Sequence, residues 1–272
     1  MEKTVLNATI DHPVVSTEEW FAIHQQHLKK EKELTRLRDK LASERQALPW
    51  TKVDKEYVFD GPGGKVSLAD LFDGRNQLII QHFMFGPDWK EGCVGCSFQA
   101  DHNDSVMIHL NNHDVSLVVV SRAPFNKIEA FKKRMGWQFK WVSSFENDFN
   151  YDYHVSFKKD EINKGRGIYN FSEIDMHEGE LSGISVFYKN DAGEIFHTYS
   201  AYARGTEMLV NTYNFLDIAP LGRNEKGSEG NLTDWVRHHD KYNAGGYVDA
   251  TGKYVAEKET GSCCGGTEET KL

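Results

Sequence analysis

Between residues 17 and 47 apolar side chains recur every three to four positions, with Lys, Arg and Glu filling the gaps. The recurring positions are Trp20, Ile23, Leu34, Leu37 and Leu41, with His27 among them, and this spacing predicts one long amphipathic helix. Ser16, with Glu19 three places on, writes a capping box at its start, and Pro49 marks its far end. The stripe needs a cover. Packing on the chain's own domain is the first expectation and a homodimer seam through residues 17–47 the second, because a coiled coil asks for about three to four sustained heptads.

From residue 57 the pattern shortens. Residues 57–59 and 65–68 read as strands around the turn 60–64, DGPGG, which makes a hairpin, and Ser67 is placed to cap a short helix through residue 72. Residues 77–85, QLIIQHFMF, form an apolar run bounded by Asn76 and by Gly86-Pro87, the signature of a central strand buried on both faces. A polar loop follows, and residues 96–112 then carry Phe98, Val106, Met107 and Leu110 at helical spacing. VSLVVVS at 115–121 is a second buried strand, and 126–135 a helix with Ile128, Phe131 and Met135 on one side. Strand, helix, strand, helix implies parallel pairing. Residues 137–181 are aromatic and charged with weak periodicity and read as an irregular insertion. Residues 183–189 and 194–200 form a hairpin around NDAG, and 206–216 a last helix. Beyond residue 222 the composition turns to Gly, Lys, Glu, Thr and Ser, which predicts a mobile tail ending near Cys263 and Cys264.

A chain of 272 residues, 39% hydrophobic and 27% charged, has the composition of a soluble globular protein able to bury its own core. The first twenty residues are acidic and lack a basic stretch followed by an apolar run, so the expected location is the cytoplasm. A net charge of -9 disfavours nucleic acid and anionic membrane as partners. A protein or small molecule is the expected one.

The four cysteines fall into two pairs, Cys93/Cys96 and Cys263/Cys264. In a reducing compartment a spaced pair reads as redox-active or metal-binding rather than as a structural bridge. Cys93 and Cys96 sit where the apolar strand gives way to a helix. There the unpaired N–H groups and the helix dipole lower a thiol's pKa from roughly 8.5 into the range of about 3.5 to 7.5. Cys93 is thus the candidate nucleophile and Cys96, one turn on, the resolving thiol. Lys90 is a candidate to hold the thiolate, and Asp88, Glu91 or His82 to accept the second proton. Trp89 is placed to wall an apolar pocket. Arg122, after the second buried strand, lies at the carboxyl end of the sheet, where sites in α/β proteins gather, and is a candidate for an anionic substrate.

Three other readings of the cysteines stay open: inert buried thiols, a non-enzymatic redox-sensing or interaction protein, and a zinc-binding module drawing on His102 and the tail thiols. The predicted set includes no metal ligand and no cofactor. His238 and His239 are adjacent in an expected helix and point apart, which favours packing or surface roles. The tail pair, Cys263 and Cys264, reads either as accessory thiols carried to the dithiol by a swinging terminus or as an incidental end.

The order of elements, with a hairpin before the first buried strand, Cys93-Val94-Gly95-Cys96 after it and a terminal hairpin plus helix, resembles the thioredoxin and AhpC/TSA group. The stretches LPWTKVDKEYVFDGPGGKVSLADLF, HFMFGPDWKEGCVGCSFQADH, ISVFYKNDAGEIFHTYSAYARG, TYNFLDIAPLGRNE and WVRHHDKY resemble a bacterial thioredoxin-like family of unknown function, over roughly residues 48–242. The resemblance implies a thioredoxin-like mixed central sheet flanked by helices at 48–222. An N-terminal helical extension at 1–47 and a C-terminal extension with a flexible tail at 223–272 flank it. It also implies a thiol-disulfide oxidoreductase acting on a protein or small-molecule disulfide or thiol. Two features depart from that group. Thioredoxins carry a cis-proline before the strand facing the dithiol, where this chain has Leu181-Ser182-Gly183. Peroxiredoxins carry a Thr or Ser three places before the reactive cysteine, where this chain has Lys90 before Cys93.

Overall fold

The computed structural model describes residues 12–176, 178–225, 234–249 and 251–256, so Cys263, Cys264 and the tail around them lie outside the described residues. Helix α1, Thr17–Gln46, opens as the sequence predicts: Ser16 Oγ accepts the Glu19 N–H at 3.2 Å, and the Glu19 carboxylate accepts the Ser16 N–H at 3.1 Å. After β1 (Thr51–Lys52) come the hairpin β2 (Val58–Gly61) and β3 (Gly64–Ser67), then β4 (Gln77–His82). The cysteine segment follows as α2 (Val94–Ala100) and α3 (Asn103–Asn112), then β5 (Val115–Ser121), α4 (Phe125–Met135) and β6 (Lys140–Ser143). Next are α5 (Phe149–Asp152), α6 (Lys159–Lys164), the small hairpin β7 (Arg166–Tyr169) and β8 (Ser172–Asp175), β9 (Gly183–Lys189), β10 (Ile195–Tyr202) and α7 (Asn211–Ile218). A two-stranded ribbon, β11 (Tyr247–Val248) with β12 (Tyr254–Val255), comes last.

The main sheet has eight strands in the order β1-β10-β9-β4-β5-β6-β2-β3. β4, β5 and β6 run parallel, joined by helical crossovers, while β9 lies antiparallel beside β4 and carries β10 on its other edge. This is a thioredoxin-like α/β fold with a mixed central sheet. β5 is buried at all seven positions, as its unbroken apolar run requires. β4 alternates. Leu78 and Ile80 join Tyr57, Phe59, Phe149 and Phe187 in one core layer, and beyond the strand Phe83 and Phe85 join Phe131, Trp137 and Trp141 in the other.

Four expectations change. α1 buries no residue, so it does not pack along the chain's own domain as first expected. The helix expected over 96–112 begins at Val94 and breaks at Asp101-His102. At the break the Asp101 carboxylate accepts the Trp137 indole N–H at 2.8 Å and meets His239 Nδ1 at 2.7 Å. Residues 137–181 are not irregular but hold β6, α5, α6 and the β7–β8 hairpin, elements of four to six residues whose periodicity is too short to read. Finally, residues 234–242 are not part of a mobile tail. Val236 is fully buried against Phe98, Val210 and Tyr213, and His238 is buried as well, in an extended segment with one 3-10 turn at His239–Lys241 rather than a helix.

Candidate redox site

β4 ends at His82, and the chain then leaves the sheet and returns, closed by two bonds to one residue. Met84 O accepts the Cys93 N–H at 2.9 Å, and the Met84 N–H donates to Cys96 Sγ at 3.4 Å. Cys93 occupies the N-cap position of α2 with extended backbone, φ -56 and ψ 134, which turns its side chain back over the first turn. Its carbonyl accepts from the Ser97 N–H and hydroxyl. Gln81, buried beneath the helix, donates to the Cys96 carbonyl at 3.3 Å and accepts from Asn103 Nδ2 at 2.7 Å. Both cysteines are free thiols, Cys93 half-buried and Cys96 buried.

The two thiols are electrostatically unequal. Hydrogen bonds from the Cys96 thiol and from the backbone N–H groups of Cys96 and Gly95 bring the Cys93 pKa down to about 7, against its partial burial and the nearby carboxylate of Glu178. The Cys96 thiol, which donates to Cys93 and is buried, is pushed well above its usual range. One thiol is ready to ionise near neutrality while its neighbour keeps its proton.

The supporting residues divide differently from the sequence reading. Trp89 packs in the aromatic cluster that encloses Cys96. Its loop is pinned from α4, where Lys127 Nζ donates to the Pro87 carbonyl at 2.6 Å. Asp88 and Lys90 are exposed on that loop, and no hydrogen bond or ion pair joins either to a thiol. His82 points away. Side chains alternate along a strand, so Gln81 reaches the cysteine helix and His82 the opposite layer, where its Nε2 meets Ser185 Oγ at 2.9 Å and it stacks on Tyr153. Burial brings its pKa down to about 3 and keeps it neutral, so it is neither near the thiols nor basic enough to take their proton. Arg122 is also committed elsewhere: it pairs with the buried Glu180 at 2.7 Å and lies 4.6 Å over the Tyr151 ring. It is not open to an anionic substrate. Glu91 is held by Lys241 and Arg134, which lower its pKa. Among the described residues no three His, Cys, Asp or Glu side chains gather as a metal ion requires, and no helix is long and apolar enough to cross a membrane.

The sequence reading missed the strap made by residues 235–241. His238 Nε2 donates to the Gly92 carbonyl at 2.9 Å, while Arg134 bridges the strap's Asp240 to Glu91 on the cysteine loop. The stretch WVRHHDKY was conspicuous in sequence, but its contacts reach back between 104 and 150 positions along the chain and no local pattern announces them. Gly92 itself is forced by close approach, since a Cβ there would lie 2.5 Å from Phe83 Cε1 and 3.1 Å from Phe131 Cε1. A cavity of about 200 Å³ is lined by Ile79, Gln81, Asn103, Leu117 and Ile184 among others, and Ile79 is half-exposed.

Residues 9–242 match the family described as bacterial protein of unknown function (DUF899), and the chain belongs to that family. No curated protein matches it. Among solved structures, the bacterioferritin comigratory protein of Xanthomonas campestris, investigated for alkyl peroxide reduction, is 13% identical, with 57% of this chain and 86% of that one covered at a TM-score of 0.40. Peroxidoxin BcpB from Mycobacterium tuberculosis is 10% identical, with 61% and 95% covered at 0.39.

Proposed function

We propose that this member of the family is a thiol-disulfide oxidoreductase whose working groups are Cys93 and Cys96. The observation that carries the reading is the asymmetry of the pair: a half-buried Cys93 with a pKa of about 7, hydrogen-bonded by a buried Cys96 whose own pKa is raised. That is the division of labour disulfide exchange needs, because the thiolate is the attacking species and the second thiol must wait its turn.

The Cys93 thiolate attacks one sulfur of a substrate disulfide, forming a mixed disulfide and expelling the other sulfur as a thiolate. Cys96 then gives up its proton and attacks Cys93 Sγ, which closes the Cys93–Cys96 disulfide and releases the second substrate sulfur. Two electrons pass from the pair to the substrate, and the two protons end on the two product thiols. A second dithiol returns the pair to its reduced state by the same exchange in reverse. Once Cys93 is no longer a thiolate, Cys96 loses the charge that kept its proton in place, which eases the resolving step. The substrate class is a disulfide of a protein or small molecule.

Equilibration with mixtures of reduced and oxidised glutathione tests this reading. The expected result is an intramolecular Cys93–Cys96 disulfide, seen as a loss of two hydrogens in the intact mass and protection of both thiols from alkylation. A pair that stays alkylatable in oxidised glutathione would exclude the function.

A further inference from the structure

α1 is the longest element among the described residues, 30 residues and about 45 Å, and none of its residues is buried. Trp20, Ile23, Leu34, Leu37 and Leu41 along one side are between 47% and 58% exposed. Its last turns meet the body through Arg45, whose guanidinium lies 4.8 Å over the Tyr199 ring. A helix in water draws most of its stability from packing an apolar face, and a contiguous apolar stripe on a surface marks an interaction site.

The spacing and the charges select the partner. Taking Trp20 as the first core position, the two core positions of successive heptads hold Trp20, His27, Leu34 and Leu41, and Ile23, Lys30, Leu37 and Glu44. The apolar core positions are densest at Leu34, Leu37 and Leu41, with His27 and Lys30 standing between them and Ile23. A parallel pair would set Lys30 against Lys30 and Glu44 against Glu44 within the seam. An antiparallel pair, in the register that faces Leu34 with Leu37 of the second copy, does the opposite. His27 then meets Glu44, and Lys30 lays its aliphatic stem on Leu41. The flanking positions agree, with Glu31 against Arg38 and Glu33 against Lys40. Two-fold symmetry makes every one of these pairs occur twice.

We propose that α1 is a dimerisation helix, through which two copies of this chain pair antiparallel about a Leu34–Leu37 core. The helix is self-complementary in charge and apolar spacing in that orientation, and the second copy is the partner it fits. The arrangement places the two bodies at opposite ends of the helix pair. The pairing is independent of the dithiol chemistry.

Sedimentation equilibrium on the full chain tests the proposal. The expected mass is twice the 31.1 kDa of one chain. Leu34→Glu with Leu37→Glu should give a monomer, and because both side chains are exposed in the single chain the body should keep its fold and its Cys93 pKa. The orientation is read by charge exchange. Glu31→Arg alone, or Arg38→Glu alone, should weaken the dimer about tenfold, and the two together should restore it. A parallel pair would not be restored, since Glu31 would there face Gln26 and Arg38 would face Glu33. A monomeric wild-type chain at tens of micromolar, a dimer that survives the double glutamate variant, or a charge exchange without rescue would each overturn the proposal.

Discussion

Replacing Cys93 with serine is expected to lower disulfide reduction by at least roughly three orders of magnitude, while Cys96→Ser stops the reaction one step later. The two outcomes differ because the roles proposed for the two thiols differ. Cys93 is the group whose pKa falls to about 7, stabilised by hydrogen bonds from the Cys96 thiol and from the Gly95 and Cys96 N–H groups. A serine there has no comparable anion at neutral pH. Cys96 is buried and makes its contact with the Met84 N–H, so its removal leaves the first attack possible but no internal thiol to resolve the product. With a small disulfide in slight excess, Cys96→Ser should accumulate a mixed disulfide on Cys93 visible in the intact mass, and Cys93→Ser should show none. An adduct on Cys96 in the Cys93→Ser protein at a comparable rate would reverse the assigned roles.

The second large effect is expected from Gly92→Ala. The added methyl would lie 2.5 Å from Phe83 Cε1 and 2.9 Å from Phe83 Cζ. Phe83 cannot give way easily. It is 1% exposed and packs on Trp141 at a centroid distance of 4.6 Å, with Phe131 and Trp137 closing its other sides. Overpacking of this kind costs about 1–3 kcal/mol, which for a chain of this size lowers the melting temperature by roughly 2–10 °C. The backbone is the softer side of the clash, so residue 92 should move outward, loosening the Gly92–His238 bond and carrying Cys93 away from the N–H groups that hold its thiolate. The variant should therefore show both a lower melting temperature and a higher Cys93 pKa, and Phe83→Leu in the same chain should recover part of each. A Gly92→Ala protein with unchanged stability would show that the loop does not sit as close to Phe83 as described.

Much of the sheet is legible in the sequence. The apolar runs at 77–85 and 115–121, separated by the cysteine segment, specify two buried parallel strands, and the hairpins at 57–68 and 183–200 announce themselves by their turns. The position of the dithiol at the strand-to-helix junction follows from the same pattern. The direction of His82 was also within reach, since strict alternation from Leu78 and Ile80 places it in their layer and gives Gln81 to the cysteines. Sequence proximity to the thiols misled there and at Arg122, whose partner Glu180 lies 58 positions away. The strap at 235–241 is a case of the same kind, for its residues acquire meaning only from contacts with Gly92, Glu91 and Arg134. The amphipathic stripe of α1 is plain in sequence, but what covers such a stripe depends on tertiary placement, and the structure leaves it facing outward.

The central claim is that Cys93 and Cys96 form an asymmetric dithiol, and thiolate absorbance as a function of pH measures it directly on the reduced, folded protein, with the Cys93→Ser and Cys263→Ser/Cys264→Ser variants assigning the signals. Below its pKa Cys93 carries its proton, so absorbance and alkylation rate should rise together through pH 7. The transition should be centred at about 7, absent in Cys93→Ser and retained in the tail variant, with Cys96 remaining protonated to far higher pH. A Cys93 that titrates together with Cys96 near the ordinary thiol value of about 8.5 would contradict the account.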